Sequence, residues 1–161
     1  MVEVEVAMVR IDAAVKTPIV VLREKSGKPK RLLPIWIGIF EALAIATEIE
    51  NQTVERPMTH DLLKSVIEKA GVEVVSILVS ELKEATFYAE ITLRLSNEEV
   101  IKIDSRPSDA IALALRVDSP IYVAEEVMAS SSISPDSIKV DNKEHMKDVL
   151  KNLDEDDLQK I

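Results

Sequence analysis

The 161-residue sequence predicts an α+β fold in which a strand-strand-strand-helix unit occurs twice, with a mixed or antiparallel sheet around buried, Ala-rich helices and an acidic helical tail. Three observations lead to this prediction. Short segments with apolar residues at every second position alternate with segments of helical composition. Two of the predicted helices carry closely spaced alanines. An offset of 68 residues, which pairs Ile35 with Ile103, aligns the two halves of the chain.

The first unit is predicted to contain three strands, at 3–11, 17–22 and 32–37, because apolar residues alternate or cluster there between turn-forming segments. Pro34 cannot donate to a strand ladder, so it places the third strand at an edge of the sheet or at its own start. The helix predicted over 39–49 is apolar on nearly all faces, which indicates burial on more than one side.

A further helix is expected to begin with Thr59 as its N-cap and to end at Gly71. Its predicted apolar face consists of Leu62, Leu63, Val66, Ile67 and Ala70. The second unit then contains predicted strands at 72–82, 87–95, 99–103 and 120–124, with a short helix at 108–116.

The internal offset defines the predicted domain organisation. It pairs Glu41 with Asp109, and it pairs three alanines of one helix with three of the other. We expect pseudo-repeats at about 2–58 and 70–126 within one domain at 1–128. Residues 129–161 are predicted to be a Ser-rich linker and an acidic tail. Apolar residues recur at helical spacing in this tail, which indicates an amphipathic helix: Met146, Val149, Leu150 and Leu153.

The composition limits the possible functions. The sequence contains no cysteine, which excludes thiolate nucleophiles and cysteine metal sites and suits a reducing cytoplasm. Neither a signal peptide nor an apolar run of membrane-spanning length is found, so we expect a cytoplasmic protein without a membrane partner. The net charge of −9 disfavours binding to nucleic acid through broad electrostatics. Charged residues make up 30% of the chain, which favours a thermostable protein.

The strongest candidate site lies at the step from a strand into the helix at 108–116. Its polar residues are Asp104, Ser105, Arg106, Ser108 and Asp109. Free N–H groups at a helix start suit an anion, and Arg106 suits a phosphate through two parallel hydrogen bonds. Asp104 and Asp109 suit a hard cation such as Mg²⁺. The same residue types are also ordinary at a helix start, so the residues alone leave both interpretations open.

A second candidate site surrounds His60, which is the sole histidine of the chain outside the tail and therefore the one candidate for an imidazole base there. The alternative is a solvated residue in the first turn of a helix. Glu126, after the last short strand, suits a carboxylate cluster but also an ordinary acidic surface. Trp36, between two isoleucines, is predicted to belong to the core rather than to a base-stacking surface.

Six strings of the sequence together resemble the bifunctional nuclease domain family: LPIWIG, EALAIA, RPMTHDLL, FYAEI, IDSRPSDAIALALR and PIYVAEEV. The resemblance runs from about residue 2 to residue 128, and its most specific strings are RPMTHDLL and DSRPSDAIALA. It implies an α+β fold and nuclease activity on RNA and DNA, as described for plant members of the family.

The resemblance also implies site residues, and we expect metal-assisted hydrolysis of phosphodiester bonds from it. The expected catalytic residues are His60, Asp104, Arg106 and Asp109, and the expected substrate-binding residues are Arg56, Thr59, Ser105 and Ser108. A divalent cation, Mg²⁺ or Ca²⁺, would be held by Asp104 and Asp109 with Glu41 and Glu126. No organic cofactor is expected. The alternative is a non-enzymatic regulatory or scaffold module that binds a small anion or a partner protein.

The surface predicted for this chain also indicates self-association. Two helices are apolar on nearly every face, and the tail is amphipathic. Together they offer more apolar surface than one small domain covers. We therefore expect a homo-oligomer, most simply a two-fold homodimer.

Overall fold

The structure is a computed structural model that describes residues 1–12 and 14–137. Its strands are β1 (Val2–Ile11), β2 (Pro18–Glu24), β3 (Leu32–Trp36), β4 (Glu73–Lys83), β5 (Thr86–Arg94), β6 (Val100–Ser105) and β7 (Ile121–Val123). Its helices are α1 (Ile39–Ile49), α2 (Thr59–Lys69), α3 (Pro107–Val117) and α4 (Glu125–Ser131). This is an α+β fold, as predicted. The predicted tail helix lies outside the described residues.

All seven strands form one mixed sheet in the order β3-β2-β1-β7-β4-β5-β6. Each half of the sheet is an antiparallel group of three strands. The short strand β7 joins the halves, since it pairs antiparallel with β1 and parallel with β4. Of the two positions predicted for Pro34, the structure shows the edge strand, because β3 ends the sheet and a residue without an N–H group is tolerated there.

The two halves share one order of elements. Three antiparallel strands precede α1, and three precede α3. Ile35 and Ile103 lie in the third strand of each half, and Glu41 and Asp109 lie in the first turn of each helix. The superposition of these pairs stays a prediction.

The core lies between the sheet and the helices α1 and α3. Helices α1 and α3 contact each other. The alanines of both helices are buried: Ala42, Ala44, Ala46, Ala110, Ala112 and Ala114. Small side chains let the helix backbones approach closely. The close approach brings the starts of α1 and α3 side by side, and these two helix starts carry the candidate site.

Helix α2 differs from its prediction in two respects. Its N-cap is Met58 rather than Thr59, and the Asp61 carboxylate accepts a hydrogen bond from the Met58 N–H group. Its predicted apolar face is largely exposed, since Leu62 is 59% and Val66 is 57% accessible, while the buried residue of the helix is His60. The polar first turn of α2, rather than its leucines, therefore faces the protein.

Regular structure continues beyond residue 128. Helix α4 includes residues 129–131 of the segment predicted as a linker. Ile133 then exchanges two backbone hydrogen bonds with Leu32, at 3.1 and 2.7 Å. Within 1–12 and 14–137, no helix is long and apolar enough to cross a membrane.

Candidate active site

Three helix starts meet at one cavity of about 390 Å³. Glu41 comes from the first turn of α1, His60 from the first turn of α2, and Asp109 from the first turn of α3. Arg106 is the N-cap residue of α3 and also lines the cavity. Free N–H groups and the positive ends of the helix dipoles favour acidic side chains and anions at such a place.

The His60 imidazole is held by Asp109. The ring atom Nε2 lies 3.0 Å from Asp109 Oδ1, and His60 is only 8% exposed. A carboxylate accepts hydrogen bonds, so a neutral His60 places its proton on Nε2 and keeps a lone pair on Nδ1. Among the described residues Nδ1 has no hydrogen-bond partner, and it is not one of their buried unpaired atoms, so it reaches solvent. This arrangement suits a general base or acid.

Arg106 connects two carboxylates. Its Nε donates to Asp109 Oδ2 at 2.8 Å, and one terminal nitrogen donates to Glu41 Oε1 at 2.6 Å. These bonds, to Asp109 first and then to Glu41, raise the pKa of Arg106 further above its usual range. A guanidinium has five N–H donors, and the side chain of Arg106 is 65% exposed. Three donors are therefore left for an anion.

A buried ion pair behind the cavity orients α2. Arg116 of α3 donates to Asp61 Oδ1 at 2.6 Å and to the carbonyl oxygens of Ala44 and Ala112 at 2.9 Å. Burial pushes the pKa of Asp61 upward, but the bonds from Arg116 and the Met58 N–H outweigh it and hold that pKa below its ordinary value. The pair joins α1, α2 and α3 beside His60. Arg116 was not among the predicted site residues, although a lone arginine in the apolar string AIALALR indicates a buried partner.

The structure separates Asp104 from Asp109. Asp104 lies opposite Glu90 in the β5–β6 ladder, while the next residue, Ser105, lies opposite the fully buried Ala89. Because side chains alternate along a strand, Asp104 is on the face of the sheet opposite to the helices. It is exposed there, so it does not join His60 and Asp109.

Some of the remaining predicted site residues lie at the cavity, and others lie away from it. Thr59 lines the cavity with His60. Arg56 is exposed in the loop before α2. The Ser105 hydroxyl donates to the backbone carbonyl of Arg106 at 3.0 Å, and Ser108 is buried at the start of α3. Glu126 lies exposed in the first turn of α4 and does not line the cavity.

The structure does not bring together all the carboxylates that were predicted to hold a cation. Both oxygens of Asp109 are bonded, one to His60 and one to Arg106, and Arg106 also bonds to Glu41. A positive guanidinium thus occupies the place between the two carboxylates that a divalent ion would take. In the described part of the chain, no three His, Asp or Glu side chains are grouped to hold a metal ion. A requirement for Mg²⁺ or Ca²⁺ stays a prediction.

A second cavity, of about 360 Å³, adjoins the first at Arg106. It lies between the end of β3, the start of β5 and the start of α3, and Trp36 and Phe87 are among its lining residues. Trp36 is 53% exposed, so the prediction that it belongs to the core is wrong. The flanking isoleucines Ile35 and Ile37 are buried, and the alternation of the strand turns Trp36 outward.

Comparison with known proteins gives one matching family model, described as the bifunctional nuclease domain, over residues 20–136. An uncharacterized protein of Mycobacterium tuberculosis is 38% identical over 96% of each chain. "Bifunctional nuclease 2" of Oryza sativa subsp. japonica is 32% identical over 72% of this chain and 36% of its own length. "Bifunctional nuclease 1" of Arabidopsis thaliana is 31% identical over 66% of this chain and 33% of its own length. The chain thus spans about a third of these plant relatives.

Proposed function

The chain belongs to the bifunctional nuclease domain family, and from that premise we propose that it hydrolyses phosphodiester bonds of RNA or DNA. The observation that carries the proposal is the pairing of His60 with Asp109 at 3.0 Å beside the exposed guanidinium of Arg106. The names of the plant relatives give the class of reaction. The site chemistry then assigns the roles.

His60 acts as the general base in this proposal. Asp109 holds the imidazole through Nε2, so that a neutral ring presents the lone pair of Nδ1 to solvent. Nδ1 takes a proton from a water molecule as the water oxygen attacks phosphorus. The same proton then passes to the leaving oxygen as the phosphorus–oxygen bond breaks. The imidazolium that forms between these steps is stabilised by the Asp109 carboxylate.

Arg106 binds the phosphate through the donors that Asp109 and Glu41 leave free. The two carboxylates keep the guanidinium in one position, so its outward donors are oriented before the substrate arrives. They also reduce its net attraction for an anion, and the net charge of −9 acts in the same direction.

Cleavage of labelled single-stranded RNA and DNA by the purified full chain tests this proposal. We expect His60→Asn to lower kcat by about 100- to 10,000-fold, the usual contribution of a positioned acid–base group. Arg106→Met should raise KM and lower kcat. Asp104→Asn is the matched control, since it removes a carboxylate from the same strand-to-helix segment on the opposite face, and it should keep full activity. EDTA and added Mg²⁺ form a separate arm that tests the predicted cation.

One observation favours the alternative of a non-enzymatic regulatory or scaffold module. Arg106 already has two carboxylate partners, so its contacts also serve to join α1 to α3. The same variants separate the two functions. A purely structural role predicts that wild type shows no cleavage with or without Mg²⁺ and that Arg106→Met lowers only the melting temperature.

A further inference from the structure

The cavity that contains Trp36 has one charged lining residue and two aromatic ones. Arg106 is the charged residue, and Trp36 and Phe87 are the aromatic residues. Its volume of about 360 Å³ is in the range of small-ligand sites. The same Arg106 lines the neighbouring cavity with His60. The two cavities are therefore two sides of one phosphate-binding position in the proposed function.

The distribution of aromatic residues is uneven. The sequence contains one Trp, two Phe and two Tyr. The Trp and both Phe line the two cavities at Arg106: Trp36 and Phe87 line one, and Phe40 lines the other. Trp36 is 53% and Phe40 is 61% exposed, although neighbouring apolar side chains of both elements are buried. Large aromatic side chains left accessible beside an arginine point to a ligand with flat apolar faces and negative charge.

Resting on the proposed nuclease function for the class of ligand, we propose that the Trp36 cavity is a nucleobase subsite. The base of an unpaired nucleotide stacks on Trp36, and the phosphate next to it binds Arg106. Base stacking on aromatic side chains combined with a basic contact to the backbone is the general way in which proteins hold single strands. A duplex does not present its base faces, so the subsite accepts unpaired nucleotides.

The charges around the cavity agree with this orientation. Asp12 lies beside Trp36: the backbone N–H groups of Ala14 and Val15 hold its pKa below its usual value, and the Trp36 indole adds to that effect. A carboxylate at this end disfavours a phosphate next to Trp36. The phosphate is therefore expected at Arg106, and the neutral base at Trp36.

Trp36 is the one tryptophan of the chain, so its fluorescence reports on this subsite directly. The experiment titrates the full chain with a phosphorothioate-linked DNA decamer, which resists hydrolysis, and with an abasic decamer of the same backbone. We expect saturable quenching by the first decamer and much weaker binding of the second. In anisotropy measurements with the labelled decamer, Trp36→Leu should raise Kd about five- to a hundredfold, the usual loss when one stacking side chain is removed.

Two further variants complete the test. Trp36→Phe keeps an aromatic face and should restore most of the affinity. Tyr88→Leu removes a partly exposed aromatic side chain that lines neither cavity, and it should leave Kd unchanged. Equal binding of the normal and abasic decamers, no binding by wild type, or an unchanged Kd in Trp36→Leu would overturn the subsite. If Trp36→Leu does not fold, the two decamers on wild type decide.

Binding and cleavage are measured separately, so the two proposals fail in different ways. Cleavage that persists in Trp36→Leu with an unchanged KM refutes the subsite and leaves the nuclease intact. Base-dependent quenching in a protein that cleaves neither RNA nor DNA refutes the nuclease and leaves the subsite intact.

Discussion

Arg116→Met is expected to destabilise the fold strongly, because Arg116 joins the three helices of the site from inside. Its side chain is 3% exposed. It bonds to Asp61 of α2 and to backbone carbonyls of α1 and α3. Methionine has a similar volume and replaces the polar end of the side chain with apolar atoms. The substitution therefore removes the charge and the hydrogen bonds with little loss of packing.

The expected magnitude follows from what Asp61 retains. Removing one partner of a buried ion pair costs about 3–5 kcal/mol, because the other charge is left buried without compensation. Asp61 remains 28% exposed and keeps the bond from the Met58 N–H at 2.8 Å. Both reduce the penalty, so we expect a loss near the lower limit, about 3 kcal/mol.

Urea unfolding followed by circular dichroism measures this loss as a lower transition midpoint at an unchanged slope. Arg94→Met is the matched control. Its ion pair with Glu73 at 2.7 Å is exposed on both sides and should contribute about 1 kcal/mol or less. Adding Asp61→Asn to Arg116→Met should recover part of the stability, since the uncompensated charge is then gone. Equal losses in the two methionine variants would refute the reasoning.

The remaining predictions concern pH, assembly and the Arg106 cluster. The depressed pKa of Asp61 stabilises the fold at pH values above its unfolded-state pKa of about 4. This contribution is lost as pH falls through the lower folded-state pKa. Acid unfolding of wild type and of Asp61→Asn measures the loss. Exposed Leu62 supports the expected homodimer, so light scattering should return the 17.9 kDa monomer for Leu62→Glu and twice that mass for wild type. A Cβ atom at Gly38 would collide with the Glu41 carboxylate, so Gly38→Ala should displace that carboxylate from Arg106. Arg106 then attracts phosphate more strongly, and KM for RNA should fall. An unchanged KM would contradict the inference that Glu41 reduces the attraction of Arg106 for an anion.

The regular elements were predictable from local patterns. The helix predicted over 39–49 has the same bounds as α1, because a dense apolar composition between a strand and a polar loop fixes both ends. The position of Pro34 indicated the edge of the sheet, since its missing N–H group excludes a central strand. Both inferences depend on properties of single residues and their neighbours.

Helix α2 shows where such patterns are insufficient. Its leucines and valine recur at helical spacing, which predicts a buried face, but Leu62 and Val66 are exposed. The ion pair of Asp61 with Arg116 and the bond of His60 to Asp109 turn the other face inward. Polar partners from distant segments of the chain set this rotation, and hydrophobic periodicity does not report on them.

The cluster of Arg106, Glu41 and Asp109 arises from one difference between two similar halves of the chain. Glu41 and Asp109 occupy the same position in the first turns of α1 and α3, and at the N-cap of these helices one half has Gly38 while the other has Arg106. Glycine leaves room for the Glu41 carboxylate to turn back over the start of α1, and a Cβ atom there would block it. Arg106 then bonds to both carboxylates, which would otherwise repel each other across the helix starts. Aligning the sequence at the offset of 68 residues shows this glycine-to-arginine difference. The shared ion pairing follows only from the packing of α1 on α3, because that packing brings the carboxylates of two helix starts within reach of one guanidinium group.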